Sequence, residues 1–154
     1  MNIQLRRILC PIDFSEPALL ALSYAEALAE SFGAELHILH VLEMVYPSGP
    51  GEVLGAAPLA TTLDTTSCQR ALNELVERRP AGRLRARTQV VIGRPFADIV
   101  RVAGEDAVDL VVMGTHGRGW FSHLLIGSVA EKVVRTAPCP VLTVKPGEHE
   151  FVAP

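Results

Sequence analysis

A chain of 154 residues, 49% of them hydrophobic, is long enough for one domain with a full core and too short for two ordinary ones. Its formal net charge of -3 argues against a protein that coats nucleic acid, although the basic residues are nearly all Arg. Cys10, Cys68 and Cys139 form no CxxC pair, no apolar run reaches the roughly 18 residues of a membrane span, and the N-terminus does not read as a signal peptide, so the expectation is a soluble protein of the reducing cytoplasm with no membrane partner.

The first apolar run, RRILCPI, reads as a buried strand. It is followed by SEPALLALSYAEALAESFG, a helix with Ser15 as N-cap, Pro17 in its first turn and Gly33 as its stop. AELHILHVL is the second strand, and YPSGPGEVLGAAP a connection too long for a tight turn. A weaker helical pattern runs from Leu59 to Arg79 and is closed by Pro80 and Gly82. RLRARTQVVIG then reads as a third strand, RPFADIVRVAGEDA as a third helix with Pro95 in its first turn, and VDLVVMG as a fourth strand. A helix from about Ser128 to Thr136 and a last strand, CPVLTV, complete the pattern, and residues 146–154 read as a loose tail. Continuous apolar strands alternating with helices predict an α/β fold: one doubly wound domain, with a parallel sheet covered on both faces.

In such sheets ligands sit beyond the carboxyl ends of the strands, where strand order reverses. Asp13 directly follows strand one, and Gly114 ends strand four. The loop GTHGRGWFSHLLIGS places Gly114, Gly117, Gly119 and Gly127 before a helix start. Glycines there let backbone N–H groups turn inward as an anion nest, and the positive end of the following helix faces the same way. Ser128 is read as the N-cap of that helix, with phosphate contact as an added role. The loop lacks the Gly-Lys-Ser/Thr of a Walker motif, so the nest, Arg118 and a metal ion would share the phosphate charge.

The spacing Gly114, two residues, Gly117, nine residues, Gly127-Ser128 resembles the G-x2-G-x9-G-S/T phosphate motif of ATP-binding universal stress proteins. The blocks ILCPIDFSE, HVLE, VVIGRPFADIV and GSVAEKVVRTAPCPVLTV carry the resemblance from about residue 4 to 145. It implies a five-stranded parallel sheet of order 3-2-1-4-5, with Asp13 facing Gly114 across the switch point, in a domain over residues 1–145. It further implies that Asp13 contacts the nucleoside, with Pro11 beside it, that the Val41 backbone lines the adenine, that Met113 and Gly114 border the ribose, and that Gly117, Gly127, Ser128 and Val129 hold the phosphates. ATP with Mg2+ or Mn2+ bound through its phosphates is the expected cofactor, and a homodimer through the last strand, an apolar edge, is the expected assembly.

Alternatives remain beside these roles. The four glycines also suit turns, Asp13 also suits a cap of the first helix, and Arg118 suits either a phosphate or solvent. Trp120 and Phe121 fit a lid, an interface or packing within their own loop. His116 and His123 match no standard metal spacing, and His37 and His40, three apart in a strand, lie on opposite faces. Arg83, Arg85 and Arg87 alternate along strand three without interleaved aromatics, which disfavours nucleic-acid binding and suits an edge kept from aggregating. Two classes of function follow: a nucleotide-dependent stress-response regulator acting on an unidentified protein partner, and a slow ATPase or phosphoryl-transfer enzyme, with an empty-cleft structural dimer as a weaker third. No fixed base stands out among Asp13, His116 and Glu131, which favours the regulator.

Overall fold

In the computed structural model, which describes residues 3–43, 64–78, 85–115 and 127–147, the short apolar runs form strands and the amphipathic segments between them form helices. The order is β1 (Arg7–Pro11), α1 (Glu16–Phe32), β2 (Glu35–Glu43), α2 (Thr65–Glu77), β3 (Arg85–Gly93), α3 (Pro95–Glu105), β4 (Leu110–Gly114), α4 (Ser128–Thr136) and β5 (Val141–Val144). The strands build one parallel five-stranded sheet in the order β3-β2-β1-β4-β5, the predicted doubly wound arrangement.

Alternation along the strands divides the core in two. Ile8, Cys10, Leu36, Ile38 and Val112 pack under α1 and α2, while Leu9, Leu39, Val111 and Met113 meet Ile99 and Val102 of α3 and Val133 of α4. Helix α1 lies close to the sheet because its inward stripe, Ala18, Ala21, Ala25 and Ala29, is made of small side chains. The approach is tightest at Gly114, where a Cβ would stand 2.8 Å from the carbonyl carbon of Pro17. Glycine is therefore a packing requirement at the end of β4. Gly33 ends α1 at φ 66°, and the Ala34 N–H reaches back to the Ala29 carbonyl at 2.8 Å, the left-handed stop expected of this position.

Element bounds depart from expectation where distant partners intervene. Helix α2 begins at Thr65, capped by Asp64, whose carboxylate accepts the Ser67 N–H at 3.0 Å; residues 59–63, where the sequence pattern begins, lie outside the described residues. Strand β4 starts at Leu110, two residues later than the apolar run, because the Asp109 carboxylate turns back to accept the Arg6 and Arg7 N–H groups at 2.7 and 2.9 Å. Those bonds hold the Asp109 carboxyl below its usual pKa.

The arginine stripe is occupied within the fold. Arg85 donates to the Gly33 carbonyl at 3.0 Å, capping the end of α1. Arg87 contacts Asp106 and lies 3.5 Å from Glu35. Arg83 lies outside the described residues. Against Arg87 sits His37, 2% exposed, with Nδ1 3.0 Å from the guanidinium and 3.1 Å from Asp106, and with Nε2 buried and unbonded. Burial and the Arg87 charge push the His37 pKa below its ordinary value, against the pull of Asp106. Below about pH 6.5, the ordinary histidine value, the folded chain thus binds fewer protons than the unfolded one, so acidification destabilises the fold. Urea titrations should give a lower unfolding free energy at about pH 5 than at about pH 7, with a flatter dependence in His37→Phe; equal slopes in the two proteins would clear His37 of this role.

Candidate functional site

Strand β1 lies between β2 and β4 and stops short of both. Ile12 donates to the Leu39 carbonyl at 2.8 Å, which turns the backbone of the even-numbered residues of β1 toward β2 and that of Leu9 and Pro11 toward β4. Register with β4 ends at Leu9 opposite Val111. Two residues further on, the ladder would need an N–H that Pro11 does not have. On the other side, Val41 has the backbone orientation of Leu39, toward β1, but lies beyond the last β1 residue paired with β2, Pro11 opposite Leu39. The N–H and C=O of Val41 therefore face the gap that β1 leaves.

That gap opens into a cleft of about 440 Å³ at the carboxyl ends of β1, β2 and β4, within the usual range for small-molecule sites. Leu39, Val41, Ile99 and Met113 give it apolar walls, and Asp13, His40, Glu43, Thr115 and Ser128 contribute polar groups. Eight of the residues singled out in the sequence line this one space: Pro11, Asp13, Val41, Met113, Gly114, Gly127, Ser128 and Val129. Gly117 and Arg118 lie outside the described residues, as do Gly119, Trp120, Phe121, His116 and His123.

Asp13 stands on a tight turn. Its Oδ1 accepts the Ser15 N–H at 3.0 Å and the Ser15 hydroxyl at 2.5 Å, while Phe14 between them is forced to φ 63°. For a residue with a bulky side chain that conformation costs about 1–3 kcal/mol and persists only where the surroundings impose it. Ser15 is the N-cap of α1, as expected, but makes no side-chain cap bond, because its hydroxyl is turned to Asp13.

At the opposite wall the expected cap is corrected by one residue. Gly127 is the N-cap of α4, and Ser128 is the first helical residue. The reason is tertiary: the Gly127 N–H is bound to the Thr115 carbonyl at 2.5 Å, and the Gly127 carbonyl takes the first helical bond from Glu131 at 2.9 Å. A glycine cap has no side chain to turn inward, and the first turn of α4, at the positive end of the helix dipole, lines the cleft. Helix α3 differs. Its Asp98 accepts the Arg94 N–H at 2.8 Å, whereas the first-turn carboxylate of α4, Glu131, is paired with Arg135. Contact between the two helices is reinforced by Lys132 Nζ, 5.0 Å above the Phe96 ring. Among the described residues no three His, Cys, Asp or Glu side chains are grouped to hold a metal ion, and no helix is long and apolar enough to cross a membrane.

Two lining residues with tertiary roles escaped the sequence reading. Thr115, 5% exposed, donates its N–H to the Val144 carbonyl at 3.0 Å as well as accepting from Gly127. His40, 4% exposed, has Nδ1 2.6 Å from the Ile12 carbonyl and its ring centroid 5.0 Å from that of Phe14. The only local signal for His40 is a polar residue at a core position of an apolar run.

Comparison with known proteins gives this architecture a family. The model described as Universal stress protein family matches residues 4–145. The chain is similar to universal stress protein MJ0531 of Methanocaldococcus jannaschii, 34% identical over 146 residues that span 94% of this chain and 85% of that one. It is also similar to a universal stress protein of Thermus aquaticus, 36% identical over 140 residues, with 91% and 98% covered. Among solved structures, universal stress protein UspA from Lactobacillus plantarum matches with a TM-score of 0.79 at 24% identity, covering 93% of this chain and 99% of that one. A universal stress protein in complex with cAMP matches with a TM-score of 0.67 at 23% identity, covering 93% and 98%. The universal stress protein from Archaeoglobus fulgidus in complex with dAMP matches with a TM-score of 0.62 at 20% identity, covering 94% and 100%. These three likenesses bear on the fold; the sequence relatives, which share nearly the whole length of this chain, carry the kinship. The chain belongs to the universal stress protein family.

Proposed function

We propose that the cleft binds an adenine nucleotide, ATP with Mg2+ or Mn2+ held through its phosphates, and that the bound state regulates contacts with a protein partner. The observation that carries this reading is the pairing, in one space, of a backbone edge at Val41 with the glycine-capped first turn of α4. The edge offers one N–H and one C=O, suited to a base that has an adjacent acceptor and donor. The helix end offers N–H groups suited to phosphate. Asp13 and Pro11 would then border the nucleoside, Met113 and Gly114 the ribose, and Gly127, Ser128 and Val129 the phosphates, with Gly117 and Arg118 completing that end. The cAMP and dAMP complexes of two proteins of the same fold support a nucleotide of this class. With no cluster of metal-ligating side chains among the described residues, the phosphates themselves are the natural anchor for a divalent cation.

Gly127 holds φ -70° and ψ 155°, a conformation open to any residue, so Gly127→Val should fold while placing branched carbons against the α4 N–H groups. Calorimetry is expected to give at least about a tenfold loss of ATP affinity, with the thermal midpoint little changed. Unchanged affinity in a folded variant would end the proposal.

A regulator needs little turnover. Among the described residues near α4, Glu131 is paired with Arg135 at 2.8 Å and Asp13 is turned to Ser15, so neither is an uncommitted base for a γ-phosphate. Steady-state phosphate release by purified protein should fall well below about 1 per second; turnover at or above that rate, lost in Ser128→Ala, would make the protein an enzyme.

The assembly proposed is a homodimer through β5. The Val111 N–H bonds to the Pro140 carbonyl and the Thr115 N–H to that of Val144, so Val141 and Thr143 turn their backbone groups outward from the sheet edge. Thr143→Pro removes one outward N–H and leaves the β4 ladder intact. Sedimentation should find wild type dimeric and Thr143→Pro monomeric; a monomeric wild type at high concentration would refute the interface.

A further inference from the structure

We propose that His40 is the positioning residue that parts β1 from β2 and so gives the cleft its nucleoside-facing wall, an inference that deepens the nucleotide reading of the same site. The ladder predicts the next acceptor. Ile12 donates to Leu39, so a continued parallel ladder would have the Val41 N–H donate to the Ile12 carbonyl. That carbonyl is held instead by a side chain, His40 Nδ1 at 2.6 Å. A carbonyl only accepts, so Nδ1 carries the proton, and the neutral ring has its lone pair on Nε2.

The same ring seats the turn. Phe14 packs on His40 at 5.0 Å between centroids with 58° between the planes, and Phe14 is the residue held at φ 63°. Its neighbours on either side, Asp13 and Ser15, close the turn through the Asp13 carboxylate. One buried imidazole thus does two things: it competes for the carbonyl that would draw Val41 into the ladder, and it supplies the surface against which the strained turn rests. Pro11 plays the corresponding part toward β4 by lacking an N–H. Removing the imidazole would let β1 continue its pairing with β2 and release the turn, moving the Asp13 carboxylate and the Val41 backbone out of mutual register.

The two halves of this role can be separated. In His40→Asn the side-chain amide can occupy the place of Nδ1–H without the ring, whereas His40→Phe keeps a ring without the donor. Three measurements on the full chain test the proposal. In wild type, long-range proton–nitrogen NMR should find the neutral His40 ring protonated on Nδ1; the Nε2–H tautomer overturns the proposal whatever the variants do. Without any nucleotide, exchange of the Ser15 amide, which reports the Asp13 turn seated on the ring, should accelerate by about five- to tenfold in His40→Asn and by less in His40→Phe. Affinity for ATP and for dAMP, by calorimetry, should fall by a similar factor in His40→Phe, which lacks the donor, and recover in part in His40→Asn, a rescue that a purely space-filling role would not give. Wild-type affinity in a folded His40→Phe, or wild-type Ser15 exchange in a folded His40→Asn, overturns the inference. If the wild-type chain binds neither nucleotide, the reading of the cleft fails, while the tautomer and the Ser15 exchange still decide the part played by His40.

Discussion

A parallel sheet binds its strands only through the backbone of their neighbours, and the cleft exists because this binding is interrupted at one place. Strand β1 leads out of the middle of the sheet, with β2 and β4 on its flanks, and connections from these flanks run to opposite faces. Once β1 stops, both flanking strands present inner edges with nothing between them. The walls, the backbone groups at Val41 and the proximity of Asp13 to Gly114 and α4 all follow from that interruption. Side chains refine the opening that topology makes: proline withdraws a donor on one flank, and imidazole takes an acceptor on the other.

The elements were legible in the sequence because a strand buried on both faces must be apolar at every residue, while the helices carry their own punctuation in Pro17, Gly33 and Pro95. Strand order and the grouping of Asp13, Val41, Gly114 and Gly127 came from resemblance to a known family, since periodicity contains no pairing information. What escaped was set by contacts distant in the chain. Local preference ranks serine with the best helix caps, yet Gly127 takes that position because the Thr115 carbonyl claims its N–H. Gly114 reads as part of the ligand-binding loop, with a turn former as the alternative, until the approach of Pro17 supplies a third reason. His40 shows only as a polar residue in an apolar run, because its partner is the end of another strand.

Charge is placed with the same economy. The guanidinium groups of Arg85 and Arg87, two of the three in the basic stripe, are spent on a helix terminus and on carboxylates at the end of the sheet remote from the cleft. Helix α3 supplies its own carboxylate to its N-terminus through Asp98, and Arg101 in turn holds that carboxylate at 2.9 Å. Helix α4 carries a first-turn carboxylate of its own, Glu131, but pairs it with Arg135.

Thr115 has a further consequence through its position between two structures. Its N–H is fastened to Val144 in the outermost strand, and its carbonyl to Gly127 at the root of α4. Those bonds, at 3.0 and 2.5 Å, run through a single residue with a buried side chain. The outer margin of the sheet and the root of α4 at the mouth of the cleft are therefore tied through one point, and a displacement of either is passed to the other.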